Sequence, residues 1–372
     1  MNSACAIKKE NMERLAEHRD NLRKKPKLTY LFFELTDACN LSCLHCGSNA
    51  CPQNRTYLST KDIERVLRSV AARYNPSEIM VCLTGGEPLL HPDFFSISQY
   101  AKELGFSCGM TTNGTLISPE VAERLIPDGI CSVTVSIDGM ATTHDWFRNT
   151  NGSFDRALLG VRNLMNETRG RISTQITTVV HKKNLHELDQ IYELVVSLNV
   201  DSWRVINLEP IGRALEHNDL LLSPSELQYL LNYIRKKRFD PEIKIDVTYG
   251  CSHYLTLEHE RTVRDTYFLC GSGVLVGSVL CNGDIYSCLD IERRPELIQG
   301  NVRKDDFVDI WENGFQEFRK DRTLQSEKCR HCDDRYICSG DSAHTWNYGN
   351  QEPMLCIKDL LLHTKERIDN ET

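Results

Sequence analysis

Cys39, Cys43 and Cys46 stand at intervals of four and then three residues, directly after the apolar run LTYLFFEL. Three thiolates on so short a loop can hold three irons of a four-iron cubane and leave the fourth iron without a protein ligand. That open coordination position is a place for substrate. A zinc site is the rival reading, but zinc wants a fourth nitrogen or sulfur, and His45 is the only local candidate. Zinc would also leave unexplained the Gly85-Gly86-Glu87-Pro88 motif at the end of the next apolar run.

The second half of the chain carries another cysteine series. Cys270 is followed after twelve residues by Gly283, after four more by Cys288, and then by Cys329, Cys332, Cys338 and Cys356. CNGDIYSC reads as a hairpin with Asn282 and Gly283 as its turn. The last four thiolates can complete an iron-sulfur site, against the rival of a zinc ribbon.

Residues 1 to 28 are polar and lack the apolar stretch of a signal peptide, and no later run reaches transmembrane length. The expected location is therefore the cytoplasm, with no membrane partner. Thiols stay reduced there, so 16 cysteines in short-spaced clusters point to metal ligation rather than to disulfides. Cys5, Cys51, Cys82, Cys108 and Cys131 fit no ligand pattern and are expected to be buried small hydrophobes. A net charge of -8 without long like-charged blocks argues against nucleic acid as a partner.

These motifs need a scaffold that brings them to one place. Six apolar, β-branched runs read as strands: LTYLFFEL, EIMVCLTGG, FSCGMTTNG, ICSVTVSIDG, ISTQITTVV and DSWRVINLEP. Helical patterns lie between them, one opening on a Ser59 cap with Asp62 three residues on. The alternation predicts an α/β fold with parallel strands and outer helices, a partial barrel or an open sheet, whose ligands gather at the strands' carboxyl ends. Cys39, the Gly85 turn, Asn113 and Asp138 each follow a different strand, so all four should face one mouth. SPSELQYLLNYIRKKRFD is expected to close the barrel and EIKIDVTYG to form a further strand. The domain plan is a polar extension (1–28), a partial (β/α)6 TIM-type barrel (29–240), a connector (241–269) and a cysteine-rich domain (270–372).

The Cys39, Cys43, Cys46 spacing with His45 before the last cysteine, GGEP at Gly85 to Pro88, and SIDG at Ser136 to Gly139 resemble the radical S-adenosylmethionine (SAM) enzymes. The resemblance implies a [4Fe-4S] cluster whose open iron binds S-adenosylmethionine, reductive cleavage to a 5′-deoxyadenosyl radical, and hydrogen abstraction from an unactivated carbon. It also implies an electron donor such as flavodoxin or ferredoxin. Under it, Gly85, Gly86, Glu87 and Pro88 offer backbone to the methionine amino group. Asn113, Ser136 and Asp138 lie where the family contacts ribose or carboxylate, Arg148 pairs with the cofactor carboxylate, and Leu208 packs on adenine.

The tail is similar to the SPASM extension, which holds auxiliary iron-sulfur clusters. In that pattern Cys329, Cys332, Cys338 and Cys356 bind an outer [4Fe-4S] cluster, while Cys270 and Cys288 belong to an inner one. Ser342 stands where a further inner cysteine is expected, so the second auxiliary cluster is left open, with Cys251, Cys281 or Ser342 itself as substitutes. Enzymes with both signatures mostly modify peptides or proteins, so a peptide maturase acting on a ribosomally made precursor is the expected function. The alternatives are an anaerobic sulfatase-maturating enzyme, a tetrapyrrole or other small-molecule cofactor enzyme, and a non-enzymatic zinc-bound binding module. Against the sulfatase-maturating reading, Leu289 occupies the position of that group's proposed Asp base, and strand alternation would turn Asp290 to the opposite face.

Overall fold

The computed structural model describes residues 3–251 and 253–362. Its parallel core strands are β1 (Tyr30–Glu34), β2 (Met80–Thr84), β3 (Ser107–Thr112), β4 (Ile130–Ser136), β5 (Ser173–Val180), β6 (Ser202–Asn207) and β7 (Asp246–Tyr249). Each of the six apolar runs forms its strand. Leu31, Phe33, Val81, Leu83, Val133, Val135 and Val205 are buried at alternate positions, so they line one face of the sheet and pack into the main core.

The helices are α1 (Ser3–Lys24), α2 (Thr60–Arg73), α3 (Phe94–Glu103), α4 (Pro119–Leu125), α5 (Ala141–Phe147), α6 (Ser153–Thr168), α7 (Leu188–Ser197) and α8 (Pro224–Arg238). The expected Ser59 cap is present, its hydroxyl accepting from the Asp62 amide at 3.1 Å. Ser223 and Glu226 form a full capping box at the start of α8.

The sheet continues past the barrel. β8 (Val276–Val279) pairs in parallel with β1, and β9 (Asp284–Tyr286) and β10 (Gly300–Asn301) follow antiparallel. The order is β10-β9-β8-β1-β2-β3-β4-β5-β6-β7, an open sheet in which β7 extends the strand series beyond residue 240. The Asn282-Gly283 turn closes the β8–β9 hairpin, with Gly283 at φ +90°, a conformation that favours glycine.

Residues 3 to 24, within the expected polar extension, take a regular form that was not expected of them. They form α1, whose Met12, Ala16 and Leu22 make one narrow buried stripe. Met12 packs with Tyr254, Phe268 and Ile337. Arg19 is 7% exposed and donates to the carbonyls of Ile337 and Tyr336 at 2.9 and 2.6 Å, while Arg23 donates to Ser339 Oγ. The stripe is so narrow that the charged positions around it hide the period. Cys108 is buried as expected, but Cys131 is exposed on β4, its sulfur turned to the Cys108 carbonyl at 3.2 Å. Cys51 and Cys82 are half-buried, and the side chain of Cys5 lies outside the described residues.

Replacing Arg19 with Ala removes two charge-assisted hydrogen bonds and leaves two carbonyls unpaired. The expected cost is about 2 to 4 kcal/mol in anaerobic denaturant unfolding. Limited proteolysis should then cut within residues 1–28 faster than in the wild type while the barrel stays protected.

Candidate active site

The three-thiol loop leaves the carboxyl end of β1 and is clamped from three sides. On one side is the glycine turn after β2. The Gly86 amide donates to Thr36 O at 2.7 Å and the Glu87 amide to Ala38 O at 2.9 Å. A Cβ on Gly86 would fall 2.2 Å from the Ala38 carbonyl oxygen, so only glycine permits this approach. A Cβ on Gly85, at φ +150°, would fall 2.6 Å from Thr36 O. The amide donors of this turn are thus spent on the loop that leads to Cys39.

Glu87 is fully buried and its carboxylate is taken up by the end of β3. Its carboxylate accepts from Thr112 Oγ1 at 2.8 Å and from the Asn113 amide at 2.9 Å. Burial pushes its pKa up to about 7. Pro88 opens a short 3-10 turn that Glu87 caps. Asn113 in turn donates to Asn40 Oδ1 at 2.8 Å and points Nδ2 at Cys39 Sγ, 3.9 Å away.

The second side is an aromatic and charged floor. His45 stacks on Phe147 with centroids 4.1 Å apart, and Phe147 meets His181 at the same distance. Arg148 reaches Cys43 Sγ at 3.6 Å and forms an ion pair with Asp138 at 2.5 Å. Burial alone would lower the Arg148 pKa, but Asp138 and Cys43 outweigh it and raise the value. Asp138 also accepts from the Val179 amide. The guanidinium expected to meet a cofactor carboxylate is therefore already held by the protein's own acid and thiol. Ser136 ends β4 half-buried at the same mouth, and Leu208 packs with Phe147, Ala214 and Leu220.

The third side was not anticipated from the sequence. Arg213 donates from Nε to Cys43 O at 2.7 Å and from both terminal nitrogens to Ala50 O at 3.0 Å, and its amide reaches Cys46 O. A Cβ on the preceding Gly212, at φ +52°, would meet Cys46 O at 2.3 Å. The Pro210-Ile211-Gly212 stretch was the available signal for a tight turn here.

These residues fit a four-iron cluster. Cys39, Cys43 and Cys46 cluster together with Leu41 and Ala50, and burial pushes the Cys39 thiol up to about 12, so iron ligation is what would keep it deprotonated. Arg148 and Asn113 point N–H groups at two of the sulfurs. His45 Nδ1 and Arg148 Nε are buried without a hydrogen-bond partner.

In the tail, Cys329, Cys332, Cys338 and Cys356 form a second thiol set. Burial raises the Cys338 pKa, and the nearby Asp341, Cys356 and Cys329 add to it. Lys358 donates to Cys332 Sγ at 3.4 Å. The inner set is thinner. Cys270 and Cys288 are neighbours, but Ser342 is bound to His344 Nδ1 at 2.9 Å. Cys281 faces Glu34, and Cys251 turns its sulfur to Asn207 O at 3.8 Å.

A cavity of about 370 Å³ separates the loop from the inner set, walled by His45, Gly47, Leu208, Cys270, Cys288 and His344 among others. Asp290 faces it as well, which corrects the expectation drawn from strand alternation. β9 ends at Tyr286, so Leu289 and Asp290 lie in a turn where Leu289 packs into the core.

The comparisons agree with this geometry. Residues 33–195 match the radical SAM superfamily and residues 270–333 the SPASM iron-sulfur cluster-binding domain. The chain belongs to the radical SAM enzymes and carries a SPASM domain. An AdoMet-dependent heme synthase of Methanosarcina barkeri is 31% identical over 347 residues, covering 87% of this chain and 95% of that protein. The mycofactocin maturase MftC of Mycobacterium tuberculosis is 30% identical over 318 residues, covering 83% and 77%. Among solved structures, anSMEcpe with bound AdoMet and Cp18Cys peptide aligns with a TM-score of 0.70 at 17% identity, covering 93% of this chain and 99% of that one. Streptococcus suis SuiB bound to its precursor peptide SuiA gives 0.68 at 19%, covering 85% and 72%. These last two likenesses concern the fold. The chain is thus an enzyme using a [4Fe-4S] cluster with SAM and auxiliary iron-sulfur ligation in its tail. Among the described residues no helix is long and apolar enough to cross a membrane.

Replacing Arg213 with Ala should free the loop without removing a thiol. Iron affinity at the barrel site is expected to fall about 10- to 100-fold, as for other supporting partners of metal ligands. Mössbauer spectra after anaerobic reconstitution should show the loss confined to one cluster. In the Cys39, Cys43, Cys46 triple Ala variant, 5′-deoxyadenosine formation should vanish while the tail keeps its iron.

Proposed function

We propose that the chain is a peptide maturase that removes hydrogen from a side chain of a ribosomally made precursor. The observation that carries this reading is the path into the cavity. Two open depressions of about 500 and 360 Å³ run along β7, the last strand of the open sheet, and share Asp246 and Asp265. The inner one shares Gly250 and Cys251 with the central cavity. The β7 edge is covered in part, by the Tyr249 amide on Val263 O and by Arg238 on Val247 O. Such a narrow track beside a sheet edge suits an extended chain, which binds edges through its backbone and inserts alternate side chains. The identity to MftC, named a maturase, is in keeping with it.

When bound, the cluster and SAM supply abstraction of a hydrogen atom from an unactivated carbon, with the reducing electron arriving from a flavodoxin- or ferredoxin-type donor. The chain's own residues do the rest. Arg213 and the glycine turn fix the loop, while Asp138 and Glu87 hold Arg148 and Asn113 against its sulfurs. His45, Phe147 and Leu208 give the mouth an apolar wall that keeps water from a reactive centre.

A second reading, tetrapyrrole modification, is favoured by the 31% identity to a heme synthase along 95% of its length. Anaerobic coexpression with any short open reading frame that neighbours the gene, followed by peptide mass spectrometry, decides between them. The expected result is a SAM-dependent change in the peptide's mass, stereochemistry or crosslinking. Turnover of Fe-coproporphyrin III with no effect on the peptide would move the enzyme to the second reading. Formylglycine in a sulfatase-type peptide would assign it to the sulfatase-maturating group, with Asp290 then placed to serve as base.

A further inference from the structure

Behind the cavity, three residues from distant parts of the chain converge on one carboxylate. Glu209 follows β6, while His253 and His344 lie 44 and 135 positions further on. His253 Nε2 meets Glu209 Oε1 at 2.8 Å, and His344 Nε2 meets Oε2 at 2.5 Å. The ligand atoms of all three lie within 4.8 Å of one another. None of them belongs to either cysteine motif.

We propose that Glu209, His253 and His344 form a mononuclear site for a divalent first-row cation such as zinc, separate from the iron-sulfur sites and opening on the substrate cavity. The two imidazoles present Nε2 to the two oxygens of one carboxylate, and each has its other nitrogen engaged. His253 Nδ1 is held by Asp341 Oδ2 at 3.0 Å and His344 Nδ1 by Ser342 Oγ at 2.9 Å. That arrangement, a ligating histidine whose second nitrogen is fixed by a carboxylate or other polar group, is what orients imidazole on a metal.

Two imidazoles and one carboxylate suit zinc and its neighbours, and three protein ligands leave a coordination position open. The opening is on the cavity side, because Glu209 and His344 line the cavity while His253 is fully buried behind them. A substrate carboxylate or carbonyl entering past Gly250 would find the cation opposite the three-thiol loop. Ser342 acquires a role in the same arrangement: its hydroxyl orients His344, which a cluster-ligating cysteine at that position would not do.

A divalent ion matches a pocket that already concentrates two carboxylates, Glu209 and Asp341, around buried imidazoles. The site does not depend on which substrate the enzyme modifies.

The test uses the full chain with its clusters reconstituted anaerobically, so that the cluster cysteines are occupied, and zinc as the probe. After desalting, one equivalent of zinc per chain should remain, and zinc-edge X-ray absorption should show nitrogen and oxygen neighbours at about 2.0 to 2.2 Å with no sulfur. Glu209→Gln and His344→Asn should each weaken zinc binding in chelator competition by about 100-fold, and Asp341→Asn by about 10-fold, with iron content at the barrel unchanged. If the variants fail to fold, the wild-type absorption spectrum decides alone. Sulfur in the zinc shell would assign the metal to a cysteine site, the Cys270–Cys288 pair or Cys251 beside Glu209, and overturn the proposal. So would failure to retain zinc, or wild-type affinity in the Glu209→Gln, His344→Asn double variant.

Discussion

The ladder made by β1 holds the molecule together. This five-residue strand pairs with β2 on one side and with β8, from the tail, on the other. Its last residue, Glu34, is 1% exposed and takes Arg293 in an ion pair at 2.5 Å while accepting from the Cys281 amide. An unpaired carboxylate there would be costly, so the barrel and the tail must be in register for β1 to be satisfied. The three-thiol loop leaves directly from this strand. Its distance from Cys270, Cys288 and the cavity between them is thus set by one shared ladder rather than by a flexible linker.

Around that loop, the principal charged and amide groups are committed before any cofactor arrives. Glu87 orders Thr112 and Asn113, Asp138 holds Arg148, and Arg213 takes up the carbonyls of Cys43 and Ala50. Several residues first read as direct cofactor contacts therefore have a protein partner that fixes their position. A site that handles a reactive species gains from such rigidity, since a supporting shell left loose misplaces the reacting groups.

What could be read in the sequence follows from how local each signal is. The strands were legible because each carries apolar and β-branched residues over a short run, and the thiol loop because its three ligands lie within eight residues. The tail's parallel pairing with β1 was not legible, since nothing in VGSV specifies a partner some 240 residues earlier. α1 was hidden because its buried stripe is one residue wide. Glu209, His253 and His344 had no shared spacing at all, and the turn at Leu289 and Asp290 defeated an argument that assumed a continuing strand.

The place of β8 beside β1 also bears on the order in which the chain can fold. During synthesis, β1 emerges early with one edge open, and its partner on that edge, residues 276–279, appears only after the six other parallel strands have been made. Such a distant pairing is slow to form, and an exposed sheet edge invites association with other chains in the meantime. α1 waits as well, because the groups that Arg19 and Arg23 bind lie near residue 337. Iron delivered to the first loop before then would meet a half-finished mouth, so cluster insertion is best timed after the ribosome has released the tail.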